Sequence, residues 1–177
     1  MEEIFFDLET KKWSTEVEGG WNNIRAFGMV LTVTWDEVNG CRTWLEDDAE
    51  KLVTELGKAE KIIGFNNLRF DNEVLTAYVP NTRELLDKKS FDILAYIYPR
   101  LGFRVSLDNL CSATLNAQKS ASAEEAIRWF RAGEIAKVVE YCQRDVELTR
   151  DLYRYGQEHG CIYYPSYGQR EKLTVSW

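Results

Sequence analysis

Five side chains in this 177-residue chain could cooperate in chemistry: Asp7 and Glu9 in "FFDLET", Asp71 in "GFNNLRFD", and Tyr141 and Asp145 in "YCQRD". On an extended strand, residues two apart share a face, so Asp7 and Glu9 leave the end of an apolar segment in one direction while Leu8 points into the core. On a helix, residues four apart share a face, so Tyr141 and Asp145 look the same way. Each motif also has a plainer reading: a strand that ends in acids at the surface, an ordinary first-turn helix acid, a half-buried tyrosine beside a polar neighbour. Taken together, the four carboxylates form an all-oxygen donor set on strand ends and helices that could converge. Such a set suits hard divalent ions, Mg²⁺ or Mn²⁺. Four groups of this kind can hold two ions roughly 4 Å apart, the spacing of two-metal phosphoryl chemistry.

The elements that must position them are legible in the pattern. "EEIFFDLET" is too short and apolar for a helix and suits a buried strand. Residues 24–35 are β-branched and aromatic and predict a long strand, with a turn at 38–40 and a returning strand at 41–45. Apolar residues at helical intervals predict a helix over 47–60. A short buried strand follows at 61–67, with Asn66 and Asn67 at its end. Asp71 then opens a helix over 71–79 that Pro80 stops. The segment 88–102 begins as a strand or turn and becomes helical, with Pro99 and Gly102 closing it. Helices follow at 106–115, capped by Ser106 or Asp108, at 122–133, with Ser122 and Glu125 as a capping box, and at 134–160. The tail from Cys161 reads as two short strands or an extended arm. The order of elements indicates a mixed α/β sheet with helices packed on it.

Composition bounds the function classes. With 45% hydrophobic and 13% aromatic residues the chain is globular, and its length suits one domain, 1–177, with a core over about 1–156 and a tail of unassigned role. A net charge of −7 argues against a protein that coats nucleic acid generically, yet is compatible with carboxylates that hold metal ions. No apolar run approaches the roughly 18 residues of a membrane span. The acidic start lacks the basic region and cleavage site of a signal peptide, so a cytoplasmic chain is expected. The four cysteines form no C-x-x-C pair and read as reduced, packed thiols, and the one histidine, His159, reads as a helix-end residue.

"FFDLET", "GFNNLRFD" and "YCQRD", in that order, resemble the three motifs of the DEDD superfamily of 3′→5′ exonucleases, built on the ribonuclease H-like fold. The third is similar to the tyrosine form, Y-x-x-x-D; the histidine form would place a histidine where this chain has Glu140. The second motif resembles that of family-B DNA polymerase proofreading domains and of stand-alone ribonuclease H-like exonucleases. "SLDNLCSATLNAQKS" is similar to the segment those families place before the third motif. The resemblance covers roughly residues 4 to 155. "KKWSTEVEGGWNN" and the tail have no counterpart in it.

The resemblance implies that Asp7, Glu9, Asp71 and Asp145 bind two divalent ions. These would aid deprotonation of water and stabilise the leaving 3′-oxygen and the transition-state charge. Tyr141 would orient or deprotonate the attacking water. With an ordinary pKa near 10, orientation is the easier role to defend. The product would be a 5′-mononucleotide from the 3′ end of single-stranded DNA or RNA, DNA weakly favoured. Thr10 and Asn66 could contact the terminal nucleotide. Phe70 could stack on it, although packing is the commoner role of an aromatic at a strand–helix junction. Arg100 and Arg104, interleaved with aromatics in 96–106, could track a strand or belong to a solvated loop, and the loop is favoured. Lys88, Lys89 and Lys119 could contact phosphates, although surface lysines are the favoured reading. The tail could cover a sheet edge or engage a protein partner. The alternatives are a binding or interaction module of the same fold without turnover, and an endonuclease of that fold.

Overall fold

A computed structural model describes residues 3–177; Glu2, expected to begin the first strand, lies outside them. β1 (Glu3–Thr10) is the middle of a five-stranded sheet of order β3-β2-β1-β4-β5. β2 (Met29–Asp36) and β3 (Gly40–Leu45) extend it antiparallel on one side, β4 (Lys61–Gly64) and β5 (Ser90–Asp92) parallel on the other. This is the mixed α/β sheet the element order predicts.

Alternation along β1 divides the core in two. Ile4, Phe6 and Leu8 pack with α1 (Ala49–Lys58), α2 (Asp71–Leu75) and α3 (Thr82–Leu86). Phe5 packs on the opposite face with α4 (Ile93–Leu101), α5 (Leu107–Leu115), α6 (Ala123–Arg131) and α7 (Ile135–His159). Helices on both faces explain why the central strands read as apolar runs rather than clean alternations. Full burial of a side chain such as Phe5 stabilises the fold by about 1.5–3 kcal/mol. Asp7 and Glu9 continue the Phe5 face, the one α7 covers.

Several boundaries differ from the sequence expectation. The strand expected from residue 24 starts at Met29, because Ile24–Phe27 form a 3₁₀ turn and Gly28 adopts φ +68°. The strand expected over 61–67 ends at Gly64, and a turn carries Asn66 in the left-handed region at φ 69°, which asparagine tolerates. α2 is shorter than expected, and α3 was not anticipated. Pro99 lies inside the last turns of α4, where Gly102 makes the left-handed cap. Ser106 caps α5, and Ser122 with Glu125 forms the capping box of α6. The tail is a hairpin, β6 (Cys161–Ser166) with β7 (Gln169–Thr174), in a sheet of its own. It packs on α5 and α7 and buries Ile162 and Val175, so it covers helices rather than a sheet edge, and the anticipated protein partner gains no support from it. Among the described residues no helix is long and apolar enough to cross a membrane.

Candidate active site

The C-terminal end of β1, the start of α2 and the middle of α7 meet at a cleft of about 990 Å³, and Asp7, Glu9, Asp71, Tyr141 and Asp145 all line it. Glu9 pairs with Leu31 of β2, but Thr10 pairs with Met29, so a bulge falls directly after Glu9. Bulges re-aim side chains at such sites, and this one ends the strand with Thr10 in the cleft wall. Asp71 arrives by way of the turn after β4. Asp92, the N-cap of α4, clamps that turn by accepting hydrogen bonds from the backbone of Asn66 (2.8 Å) and Leu68 (3.2 Å), as well as Ala95 (3.1 Å). Gly64 lets the turn close, since a Cβ there would lie 2.7 Å from Asn67.

Lys119 reaches into the cluster from the loop before α6. Its ammonium pairs with Asp145 Oδ2 and donates to the Tyr141 hydroxyl at 3.3 Å. Asp145 is only 2% exposed, and its Oδ1 is buried without a hydrogen-bond partner among the described residues. Cys142, the residue after Tyr141, donates its thiol proton to the Asp7 carbonyl (3.2 Å) and carboxylate (3.7 Å). Ligand atoms of Asp7, Glu9 and Cys142 lie within 4.8 Å of one another.

The Lys119 ammonium pulls against the raised carboxyls of Asp7, Glu9 and Asp145, yet burial outweighs it. Burial, then Asp145, pushes Asp7 up to about 7. Burial and the Asp7 charge raise Glu9; burial and Asp7 raise Asp71; burial raises Asp145 against the pull of Lys119. Burial and the surrounding acids raise the Tyr141 phenol, which is therefore protonated at neutral pH. Burial also keeps Cys142 a thiol, so it acts here as a donor to Asp7. Crowded oxygens with an orphaned buried lone pair are the environment a hard divalent cation relieves. The donor set thus fits the ions implied by the resemblance.

Of the further sequence candidates, Thr10, Asn66, Phe70 and Arg104 line the cleft, and Arg104 donates to Asn66 Oδ1 at 3.0 Å. Phe70 both packs, 5.5 Å from Phe27, and borders the cleft. Arg100 is outside the cleft lining: it is exposed and lies over Tyr96 at 3.6 Å. Lys89 caps the end of α1 through the Ala59 carbonyl (3.0 Å). Lys119 corrects the surface-lysine expectation, because its neighbours in sequence are small and polar and only the fold brings it to Asp145. Asp92 and Cys142 also escaped sequence reading. Asp92 carried an N-cap signal, an acid ahead of an apolar helical run, whereas Cys142 merely continues the apolar stripe of α7.

Residues 4–157 match the RNase_H superfamily, and the chain belongs to it. The ribonuclease H-like α/β fold expected from the motifs is the fold present. The fold resembles that of the family B DNA polymerase from the hyperthermophilic archaeon Pyrobaculum calidifontis, with TM-score 0.66 and 12% identity over 88% of this chain and 24% of the polymerase. It also resembles exonuclease I, with TM-score 0.56 and 13% identity over 89% of this chain and 41% of that one. E. coli exonuclease I in complex with a 5cy-dT13 oligonucleotide aligns with TM-score 0.50 and 13% identity, over 89% of this chain and 40% of that one. The chain therefore spans well under half the length of these proteins. No curated protein matches the sequence.

Proposed function

We propose that this chain is a metal-dependent 3′→5′ exonuclease of the tyrosine (DEDDy) type that removes 5′-mononucleotides from single-stranded nucleic acid, DNA favoured over RNA. The observation that carries the reading is the convergence of Asp7, Glu9, Asp71 and Asp145 beside Tyr141 in one cleft. The DNA oligonucleotide held by E. coli exonuclease I supports the choice of strand.

The four carboxylates would hold two Mg²⁺ or Mn²⁺ ions, which supply Lewis-acid stabilisation of the attacking water and of the leaving 3′-oxygen. The chain's own groups do the positioning. Tyr141 stays protonated, so it orients the water through its hydroxyl rather than taking a proton from it. Lys119 holds that hydroxyl and the Asp145 carboxylate in fixed relation. The thiol of Cys142 and the bulge after Glu9 fix Asp7 and Thr10. In-line attack forms the new P–O bond as the P–O3′ bond breaks; the attacking water gives up a proton to solvent, and the leaving 3′-oxygen takes one from solvent.

The test is a 5′-labelled single-stranded DNA and its RNA counterpart, incubated with Mn²⁺ or with EDTA. A metal-dependent ladder that shortens from the 3′ end supports the reading and reports the sugar preference. Cleavage of a circular strand would instead indicate an endonuclease. Intact strands in every lane would leave a binding module.

A further inference from the structure

The cleft has a wall built from the segment that the exonuclease motifs do not account for. After β1 the chain runs through three successive 3₁₀ turns, Ser14–Glu16, Gly20–Asn22 and Ile24–Phe27. The segment is tied down. Arg131 of α6 lies over the Trp13 ring at 4.1 Å and pairs with Glu16; Asn23 Nδ2 donates to the Glu18 carbonyl at 3.1 Å. Left-handed Gly19 (φ +82°) and Gly20 (φ +51°), a conformation open chiefly to glycine, deliver Trp21 to the cleft.

Trp21 completes a cluster of three rings, 5.3 Å from Phe27 and 5.8 Å from Phe70. Phe27 is 2% exposed, but Trp21 is 56% exposed. Phe70 immediately precedes Asp71, so the aromatic floor begins at the acid cluster and ends at an open indole. On a chain of net charge −7, the same cleft gathers Lys12, Arg104 and Arg128. An open aromatic face beside cations in a groove is the pairing that binds a single strand, by stacking bases and contacting phosphates.

We propose that Trp21 is a stacking platform for an unpaired base near the 3′ end, with Lys12, Arg104 and Arg128 as phosphate contacts along the same cleft. The identity of the strand rests on the exonuclease reading above. The platform selects unpaired ends, because a base held in a duplex stack cannot present its face to the indole.

The experiment is fluorescence anisotropy with Ca²⁺ and an oligothymidylate whose 3′ linkages are phosphorothioates that resist cleavage. Wild type, Trp21→Ala and Trp21→Phe are compared, on the intact oligonucleotide and on versions made abasic at successive positions near the 3′ end. We expect Trp21→Ala to bind the intact strand roughly 5- to 150-fold more weakly, the range of base–aromatic stacking. One abasic position should weaken wild type by a similar factor and leave Trp21→Ala unchanged, and Trp21→Phe should recover most of the affinity. Equal binding by wild type and Trp21→Ala overturns the platform alone, as does a loss that is the same on intact and abasic strands. Failure of wild type to bind any of these strands overturns the exonuclease reading and the platform together.

Discussion

Replacing Asp7 by Asn should stabilise the metal-free protein. The carboxyl of Asp7 is raised from 3.8 to about 7, first by burial and then by Asp145. A raised carboxyl keeps its proton in the folded chain at pH values where the unfolded chain has lost it. Between about pH 4 and pH 7 the folded state therefore binds more protons, and stability falls as pH rises. A shift of about three units corresponds to about 4 kcal/mol at 1.36 kcal/mol per unit. Asp7 is only partly buried by area, and cleft water screens some of that, leaving on the order of 2–4 kcal/mol. For a chain of this length each kcal/mol moves the melting temperature by about 2–4 °C. In EDTA at about pH 8, Asp7→Asn should melt roughly 4–16 °C above wild type, and the gap should close towards about pH 4. The asparagine carbonyl can still accept from Cys142, so that hydrogen bond is kept. Mn²⁺ should reverse the order: at about a thousand times its Kd it would add about 4.1 kcal/mol to wild type and little to the variant. Circular dichroism melts across pH, with and without the ion, give all four quantities. An Asp7→Asn protein that melts below wild type in EDTA at high pH, or a gap that does not change with pH, refutes the claim that uncompensated negative charge dominates this site.

Other outcomes test neighbouring parts of the argument. Tyr141→Phe should lower kcat by about 10- to 100-fold with little change in KM, since the phenol orients water and its polar contact among the described residues is with the Lys119–Asp145 pair; unchanged kcat in a single-turnover assay removes that role. Lys119→Gln should lower metal-free stability by about 1–3 kcal/mol, because Asp145 loses its partner at 2% exposure, and should enlarge the stabilisation that Mn²⁺ brings. Equal metal-induced shifts in both proteins would show that the lysine and the ion do not share the same charge. Gly156→Ala should cost about 1–3 kcal/mol, since the new methyl would meet the Trp177 ring, which stacks on Tyr153 and donates to its carbonyl at 2.8 Å. The double variant with Trp177→Ala should melt no lower than Trp177→Ala alone if that collision is the cause.

The strands, the helical stripes and the caps are local properties, and local chemistry announced them. β1 is an apolar run because its alternate residues serve two cores, Ser122 and Glu125 satisfy each other's orphaned backbone donors, and Gly102 takes a conformation other residues avoid. The spacing of Asp7 with Glu9 and of Tyr141 with Asp145 likewise fixed which side chains share a face. Boundaries after β1 and β4 escaped because turns there are decided by partners far along the chain. Asp92 fixes the turn before Asp71 from 26 residues past Asn66, as the separation of that bond records. Lys119 shows the same limit at the site itself. Its sequence neighbours describe a surface lysine, and only the packing of α5, α6 and α7 brings it to the Asp145 carboxylate. Acids and apolar periodicity could be read along the chain, whereas the depth of burial, and with it the raised pKa values and the unmet charge, depends on what the tertiary structure stacks above them.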